Sequence, residues 1–397
     1  MVRYKLFLLP ILCLMFFAQS CVHGDLDDCP PMVSYAVAFK YTNHTEKYDR
    51  FYDDVKKINL YVFDERNLIY TTTTELVQYD EENFNIPLDL PMGNYHIIAW
   101  GNVLNSQPFS VTTYDGDDGF VKGKTTIEEA RLLLQRDANN FSQSELEKLF
   151  YGELDIEVPL YISRIDTVPL MNNTNNIRVV LHWDHSGAIR ANEGIINYDD
   201  VSVRIYGGNA EYDFDNKYVT NKVIYAPYAI DTTGLILNKD RRTDWLNLFY
   251  YPDDPDSISS RVSDSTVYDF KVLRMMADHE LKLTVLRNNP VEESGFENLF
   301  IPIDEQNRSD VEYGIDIIGN SSGTLKGTFS ELMRDRLGVT SPLAMQNTFD
   351  MHENYRIDVY FRYDELKNTY ISAVIISIED WHVVEDGGHG NGFGGAD

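Results

Sequence analysis

Along most of this chain hydrophobic residues alternate with polar ones at a period of two. Val33, Tyr35, Val37, Phe39 and Tyr41 alternate with Ser34, Ala36, Ala38 and Lys40, which predicts a strand with one buried face. Ile58, Leu60 and Val62 repeat the pattern up to a turn at Asp64-Glu65-Arg66-Asn67, and Leu68 to Leu76 reads as a threonine-rich return strand. Ile86, Leu88 and Leu90 lead to a second turn at Pro91-Met92-Gly93-Asn94. Tyr95, Ile97 and Ala99 then run into Trp100-Gly101. Strands joined by turns this short are spaced as in a β-sandwich.

The pattern then breaks. Ile127, Ala130, Leu133 and Leu134 fall at helical spacing within Thr126 to Arg136, and Ser142 with Glu145 forms a capping box that opens a second short helix ending near Tyr151-Gly152. Both read as a helical insertion over the sandwich edge. Ile156, Val158 and Leu160 start another strand. Ile177, Val179, Leu181 and Trp183, alternating with Arg178 and His182, are expected to close the first unit.

A polar stretch over 184–197, with Gly187 and Gly194, reads as a hinge, and a second β-rich unit follows. Its strands are marked by Val201, Val203 and Ile205, by Leu281, Leu283 and Val285, and by Leu299, Ile301 and Ile303. Tyr251 to Ser265 is an acidic loop, and Thr328 with Glu331 caps a short helix to Leu337. Tyr355, Ile357, Val359 and Phe361 alternate with Arg356, Asp358 and Arg362. The last strand, Tyr370 to Ile378, is apolar on both faces between Ala373 and Ile376. Such a strand is buried on both faces or waits for a partner. The fold class is therefore all-β with short helical insertions, in two tandem β-sandwich domains at 32–184 and 196–385, with a glycine-rich tail over 386–397.

The N-terminus follows different rules. Arg3 and Lys5 precede an apolar run from Leu6 to Phe17, then Ala18-Gln19-Ser20-Cys21 and the acidic Asp25, Asp27 and Asp28. A positive start, a short apolar core and small residues before a cleavage point make an export signal over 1–20. The run is too short to span a bilayer, which takes about 20 apolar residues. Cys21 stands where a bacterial lipoprotein signal has its acylated cysteine. That leaves residues 21–31 as a lipid-bearing tether, with the rest of the chain outside the cytoplasm.

Charge sharpens the picture. The formal net charge is −29 over 397 residues. Loss of the signal removes Arg3 and Lys5 and no acid, so the mature chain is more acidic still. Such a surface argues against nucleic acid, whose phosphates demand Lys and Arg. It also gives no attraction to anionic lipid, so attachment to a membrane rests on the covalent lipid. The three cysteines are Cys13, Cys21 and Cys29. With Cys13 in the signal and Cys21 lipidated, Cys29 has no partner for a disulfide.

No catalytic constellation stands out, and no cofactor or small-molecule substrate is implied. His182 and His185 flank Asp184, but His182 sits in a strand pattern rather than on the helical repeat a metal helix needs. Asp115-Gly116-Asp117-Asp118-Gly119 lacks the glutamate that closes a calcium loop, and it reads as a polar turn. The Asp253-Asp254-Pro255-Asp256 stretch reads as a solvated loop, and tyrosine, with 26 residues, is expected mainly on strand faces.

Several segments, in their order and spacing, resemble the fimbrial anchor lipoproteins of Bacteroides- and Porphyromonas-type pili. These are Cys21 with Asp25-Leu26 and Cys29-Pro30, then Ile58-Asn59-Leu60-Tyr61-Val62-Phe63-Asp64, then Leu90-Pro91-Met92-Gly93-Asn94-Tyr95 with Ala99-Trp100-Gly101, then Leu149-Phe150-Tyr151-Gly152. Ile376-Ser377-Ile378-Glu379-Asp380-Trp381 is similar too. The resemblance implies two transthyretin-like domains held by lipid in the outer membrane at the base of a pilus, attaching the shaft and limiting its length. It implies pilin partners joined by strand exchange. A chain tethered through Cys21 cannot lose its first strand, so Val33 to Tyr41 should keep its own groove closed. The partner-binding candidates are then Tyr370, Ser372, Val374, Ile376 and Ile378, with Trp381 beyond. The alternative is a surface lipoprotein adhesin for a glycan or host protein. A secreted hydrolase would need a perturbed carboxylate pair, to which nothing in the sequence points.

Overall fold

The computed structural model describes residues 35–46, 48–76, 84–116, 119–159, 163–185, 187, 201–232, 263–277, 281–287, 298–301, 341–364 and 369–378. The chain is all-β. Its first strands are β1 (Tyr35–Lys40), β2 (Lys57–Asp64), β3 (Asn67–Glu75), β4 (Asn85–Leu88) and β5 (Gly93–Gly101). There follow β6 (Phe109–Thr113), β7 (Ala130–Leu134), β8 (Phe141–Ser142), β9 (Phe150–Val158), β10 (Arg164–Asn172) and β11 (Thr174–Asp184). The second half holds β12 (Val201–Gly207), β13 (Glu211–Tyr212), β14 (Tyr218–Val219), β15 (Val223–Tyr225) and β16 (Ala229–Asp231). It closes with β17 (Ser263–Leu273), β18 (Leu281–Arg287), β19 (Asn298–Ile301), β20 (Asn354–Asp364) and β21 (Thr369–Ile378). Among the described residues the helices are α1 (Phe51–Asp54) and α2 (Pro342–Met351), the latter capped by Ser341, whose Oγ accepts from Ala344 N at 3.1 Å.

Seven strands form one sheet in the order β3-β2-β5-β9-β10-β1-β4. It curls on itself, because Val37 and Phe39 of β1, Ile86 of β4 and Val168 of β10 share a core with Ile58 and Leu60 of β2 and Ile97 of β5. Phe39, Phe51 and Phe84 close one side of this core, their centroids 5.7, 5.8 and 5.9 Å apart. The outer face of the same strands is buried too. Tyr61, Phe63, Ile98, Trp100 and Tyr151 belong to a second core that runs on through β11, β12, β17, β18 and β20.

That second core forms because the predicted helical insertion is mostly extended. Only Ile127–Glu129 makes a 3-10 turn, opened by Glu129, whose carboxylate accepts from Thr126 N at 2.8 Å. Ala130, Leu132 and Leu134 then alternate into the core as β7. The helical spacing of Ile127, Ala130, Leu133 and Leu134 thus masked a period-two set that burial selected. Ser142 and Glu145 cap no helix: Ser142 ends β8, and Leu146 and Leu149 are buried in a connecting segment. The β6–β7 hairpin joins β13 and β14 from the second half, and β8 joins β15.

A further difference concerns β11. It does not close the first unit. It pairs antiparallel with β17 from Thr174 to Asp184 and parallel with β20 from Asn176 to Asp184, in a sheet ordered β16-β17-β11-β20-β21. Only Asn173 separates it from β10 of the first sheet. The boundary expected at 184 therefore falls at the end of the strand that starts the second sheet. Of the acidic loop expected from Tyr251 to Ser265, residues 263–265 are instead the start of β17, where they pair with β11; its first part, the predicted helix to Leu337, the hinge residue Gly194 and the tail lie outside the described residues.

Gly152 of β9 is needed for close strand approach. A Cβ there would lie 2.7 Å from Pro169 O, Val168 Cγ1 and Leu170 Cδ2. Because one of these is backbone, Gly152→Ala should lower stability by about 1–3 kcal/mol, read as a fall in the urea midpoint.

Candidate functional site

The chain enters the described fold at β1, which is hydrogen-bonded on both edges. It pairs parallel with β10, from Tyr35 opposite Arg164 to Lys40 opposite Pro169, and antiparallel with β4, from Tyr35 opposite Leu88 to Ala38 opposite Asn85. Tyr35 Oη donates to Asp166 at 2.6 Å, and Arg164 holds the same carboxylate at 2.8 Å. The alternating side chains Tyr35, Val37 and Phe39 are buried. Withdrawal of this strand would open both neighbours and empty that core.

The passage from β10 to β11 is a polar run of four amides and a hydroxyl, Asn172-Asn173-Thr174-Asn175-Asn176, of which the first four residues are buried. Each is tied. Asn172 Oδ1 accepts from Thr174 N at 3.0 Å. Asn173 and Asn216 exchange side-chain amide hydrogen bonds, while Asn173 N donates to Leu149 O at 2.6 Å and Asn173 O accepts from Arg274 N at 2.8 Å. Asn175 Oδ1 accepts from Met275 N at 2.8 Å and Asn175 Nδ2 donates to His352 O at 3.1 Å. Asn176 Nδ2 donates to Asn354 Oδ1 at 2.7 Å. Sequence reasoning missed this junction; its signal is an asparagine-rich run with no Gly or Pro between two alternating strands.

A charged cluster borders the junction. Lys148 Nζ lies 3.0 Å from Asp54 and 2.8 Å from Glu353, Arg50 lies 3.1 Å from Asp54, and Tyr41 Oη donates to Glu353 at 2.8 Å. Burial works to raise the Glu353 carboxyl, but Lys148 and the Tyr41 hydrogen bond outweigh it and hold the group below its ordinary value. Burial pushes Tyr41 up, with Glu353 adding to it. Nearby Lys271 is pushed down, first by burial and then by the like charge of Lys148.

At the other end of the fold, β21 is hydrogen-bonded to β20 along its length. Tyr370, Ser372, Val374, Ile376 and Ile378 stand opposite Tyr363, Phe361, Val359, Ile357 and Tyr355. Phe361, Val359, Ile357 and Tyr355 are buried in the second core, and Ile378 packs against it. The strand is thus part of its own sheet and the last strand of it. Among the described residues nothing pairs with its outer edge. Its direction was not legible in the sequence: Ile378 returns to Tyr355 beside the junction, and Thr369 lies at the far end opposite Asp364. Trp381 and Cys21 lie outside the described residues.

The remaining candidates resolve into structural roles. His182 Nε2 lies 2.7 Å from Asp358, which also takes Arg356 Nε at 2.8 Å, and the imidazole stacks on Tyr360 at 4.4 Å. Burial works to raise Asp358, and the hydrogen bonds from His182 and Arg356 override it to lower its pKa. His185 instead stacks on Trp183. Among the described residues no three His, Cys, Asp or Glu side chains converge as metal ligands. Asp117 and Asp118 lie outside the described residues. So does a Gly-x-Ser-x-Gly spacing at Gly319-Asn320-Ser321-Ser322-Gly323. An open cleft of about 670 Å³ lies between the β2–β3 and β4–β5 turns, lined by Asp64, Asn67, Tyr70, Asp89, Tyr95 and Lys122 among others.

Curled and stacked β-sheets define a β-sandwich protein. Solved structures share the fold. A candidate adhesin from Bacteroides thetaiotaomicron superposes with a TM-score of 0.59 at 20% identity, covering 87% of this chain and 97% of that one. A candidate polysaccharide-binding protein from the same organism gives 0.58 at 18%, covering 88% and 98%. The fimbrial anchor protein Mfa2 from Porphyromonas gingivalis gives 0.56 at 15%, covering 87% and 98%. No curated protein sequence matches the chain. Residues 26–387 match the family described as fimbrillin-A associated anchor proteins Mfa1 and Mfa2. The chain belongs to that family, and its role is at the cell surface with a fimbrium.

Two outcomes follow from the charged groups. Lys148→Met leaves Glu353 without its ion-pair partner and Asp54 with Arg50 alone, and should destabilise the fold by about 3 kcal/mol in chemical denaturation. Glu353 and Asp358 have lowered pKa values in the folded state, so their contribution is complete above the ordinary carboxylate range and is lost as pH falls through the folded values. Stability should hold between about pH 7 and 5 and drop below about pH 4, and Glu353→Gln should flatten that acid limb.

Proposed function

We propose that this protein anchors the base of a fimbrium to the outer membrane through lipid on Cys21, limits the length of the shaft, and holds the first shaft pilin by strand pairing at β21. The observation that carries this reading is the family match over residues 26–387. The strand arrangement supports it. β1, next to the tether, is bonded on both edges, while β21 ends its sheet among the described residues. A long sheet edge is a template for an added strand. Because β21 is bonded to β20 throughout, pairing at its outer edge keeps the sheet whole, whereas withdrawing it as a donor would break every one of those pairs.

The adhesin reading draws on the names of two structural neighbours and on the cleft between the β2–β3 and β4–β5 turns, where tyrosines and carboxylates could meet sugar hydroxyls. The two readings part on partner dependence. An anchor copurifies with its pilin, and an adhesin binds a glycan array by itself.

Cys21→Ala should move the protein out of the membrane fraction and give shed or overlong pili, measured by fractionation and electron microscopy; unchanged membrane retention would remove the tether. Deleting residues after Asn368 should release shafts into the medium. A disulfide between Tyr360→Cys and Ala373→Cys, which are paired in register, locks β21 to β20. The locked protein should still capture the pilin, and loss of capture would show that β21 must leave its sheet.

A further inference from the structure

Among the described residues, the neighbouring strands that run parallel over six or more residues are β1 beside β10 and β11 beside β20. β10 and β11 are consecutive and separated only by Asn173, so one stretch of chain, Arg164 to Asp184, runs from the first sheet into the second. At the usual strand rise it is about 70 Å long if fully extended. It has β1 as a parallel neighbour in one sheet and β20 in the other.

Parallel pairing has a mechanical consequence. In a parallel pair the two N-terminal ends lie side by side. If one strand is pulled from its N-terminus and the other from its C-terminus, the pull runs along the strands and loads every hydrogen bond together. In an antiparallel hairpin pulled at a free end, the bonds open one pair at a time. Each bond contributes only about 1 kcal/mol net, so resistance depends on how many must break together.

We propose that β10–β11 is a tension-carrying spine, and that the chain is wired so that both of its parallel pairs are sheared rather than peeled under load. The proposal rests on the anchor reading for the direction of load, with one pull entering at the tether and the other at the far end of the second sheet. The tether pulls β1 at Tyr35, its N-terminal end, while β10 is held from Asn172, its C-terminal end. The six paired positions from Tyr35–Arg164 to Lys40–Pro169 are loaded together. In the second sheet β11 is held from Thr174, its N-terminal end, and a load at the far tip pulls β20 from Asp364, its C-terminal end. The positions from Asn176–Asn354 to Asp184–Arg362 are loaded together.

The junction is cross-braced to match. Tyr41, just past the end of β1, bonds Glu353, just before the start of β20, at 2.8 Å, and Lys148 grips the same carboxylate at 2.8 Å. The backbone carbonyl of Asn173 and the side-chain amides of Asn175 and Asn176 fasten the one-residue gap in the spine to the segment just past β17, to the end of α2 and to the start of β20. The wiring also states where load should not enter. A pull on the chain beyond Ile378 starts at the Tyr355–Ile378 pair and opens the β20–β21 hairpin pair by pair. The shaft is therefore expected to load the tip of the hairpin or the length of its edge, not the C-terminal tail.

Single-molecule pulling on the chain from residue 21 onward, with Cys21→Ser, tests this. Cys29 is one handle. The second is either Asp364→Cys or a cysteine added after Asp397. Forced rupture follows the unfolding rate along the pulled direction. The first rupture force should be at least twofold higher from Asp364→Cys than from the C-terminal handle. Equal forces, or a higher force from the C-terminus, would overturn the spine and leave the lipid tether untouched. The expected order of forces together with normal pilus retention in Cys21→Ala cells would uphold the spine and overturn the tether.

Discussion

The structure depends on one crossing, the buried amides from Asn172 to Asn175 with Asn176 beside them. A chain that passes from one sheet to the next without a turn carries its backbone polar groups through the interior. Each must find a partner there, because an unpaired buried donor or acceptor costs about 1–3 kcal/mol. Asparagine solves this locally, since its side chain both donates and accepts. Asn173 and Asn216 do so reciprocally, and Asn175 spans Met275 N and His352 O. The two sheets are therefore fastened by directed bonds as well as by shared apolar surface.

Burial on both faces of the central strands follows from the same arrangement. β2, β5 and β9 turn one face to the curled first core and the other to the core that continues into the second half. The strands that supply the cover, β6 and β7, lie between β5 and β9 in sequence and pair with β13 and β14 from the second half. The halves thus exchange elements at the same level at which the spine crosses. Separate sandwiches on a hinge would slide or bend there; a shared core and braced crossing resist it.

Membership of the fimbrial anchor family gives that stiffness a use. The end at β1 is closed by pairing on both sides, and the far sheet ends in an edge strand. The surface is strongly acidic, with a net charge of −29. It adds solubility and no attraction to anionic lipid.

By itself the sequence determined the all-β class, the main alternating strands, the resemblance to fimbrial anchors and the candidate lipid cysteine. These rest on local rules: period-two burial, turn residues and a signal with its own composition. Tertiary structure decided the rest. It made Ala130–Leu134 a strand because a groove between the halves buries alternate residues, where the sequence alone allowed a helix. It moved Ile177, Val179, Leu181 and Trp183 into the second sheet because β17 and β20 pair with them. It turned the partner-binding candidates Tyr370 to Ile378 into the last strand of their own sheet, running back toward the junction. Strand partners and directions are fixed by contacts between residues far apart in the chain, and a periodic pattern says which faces are apolar without saying which strand lies alongside.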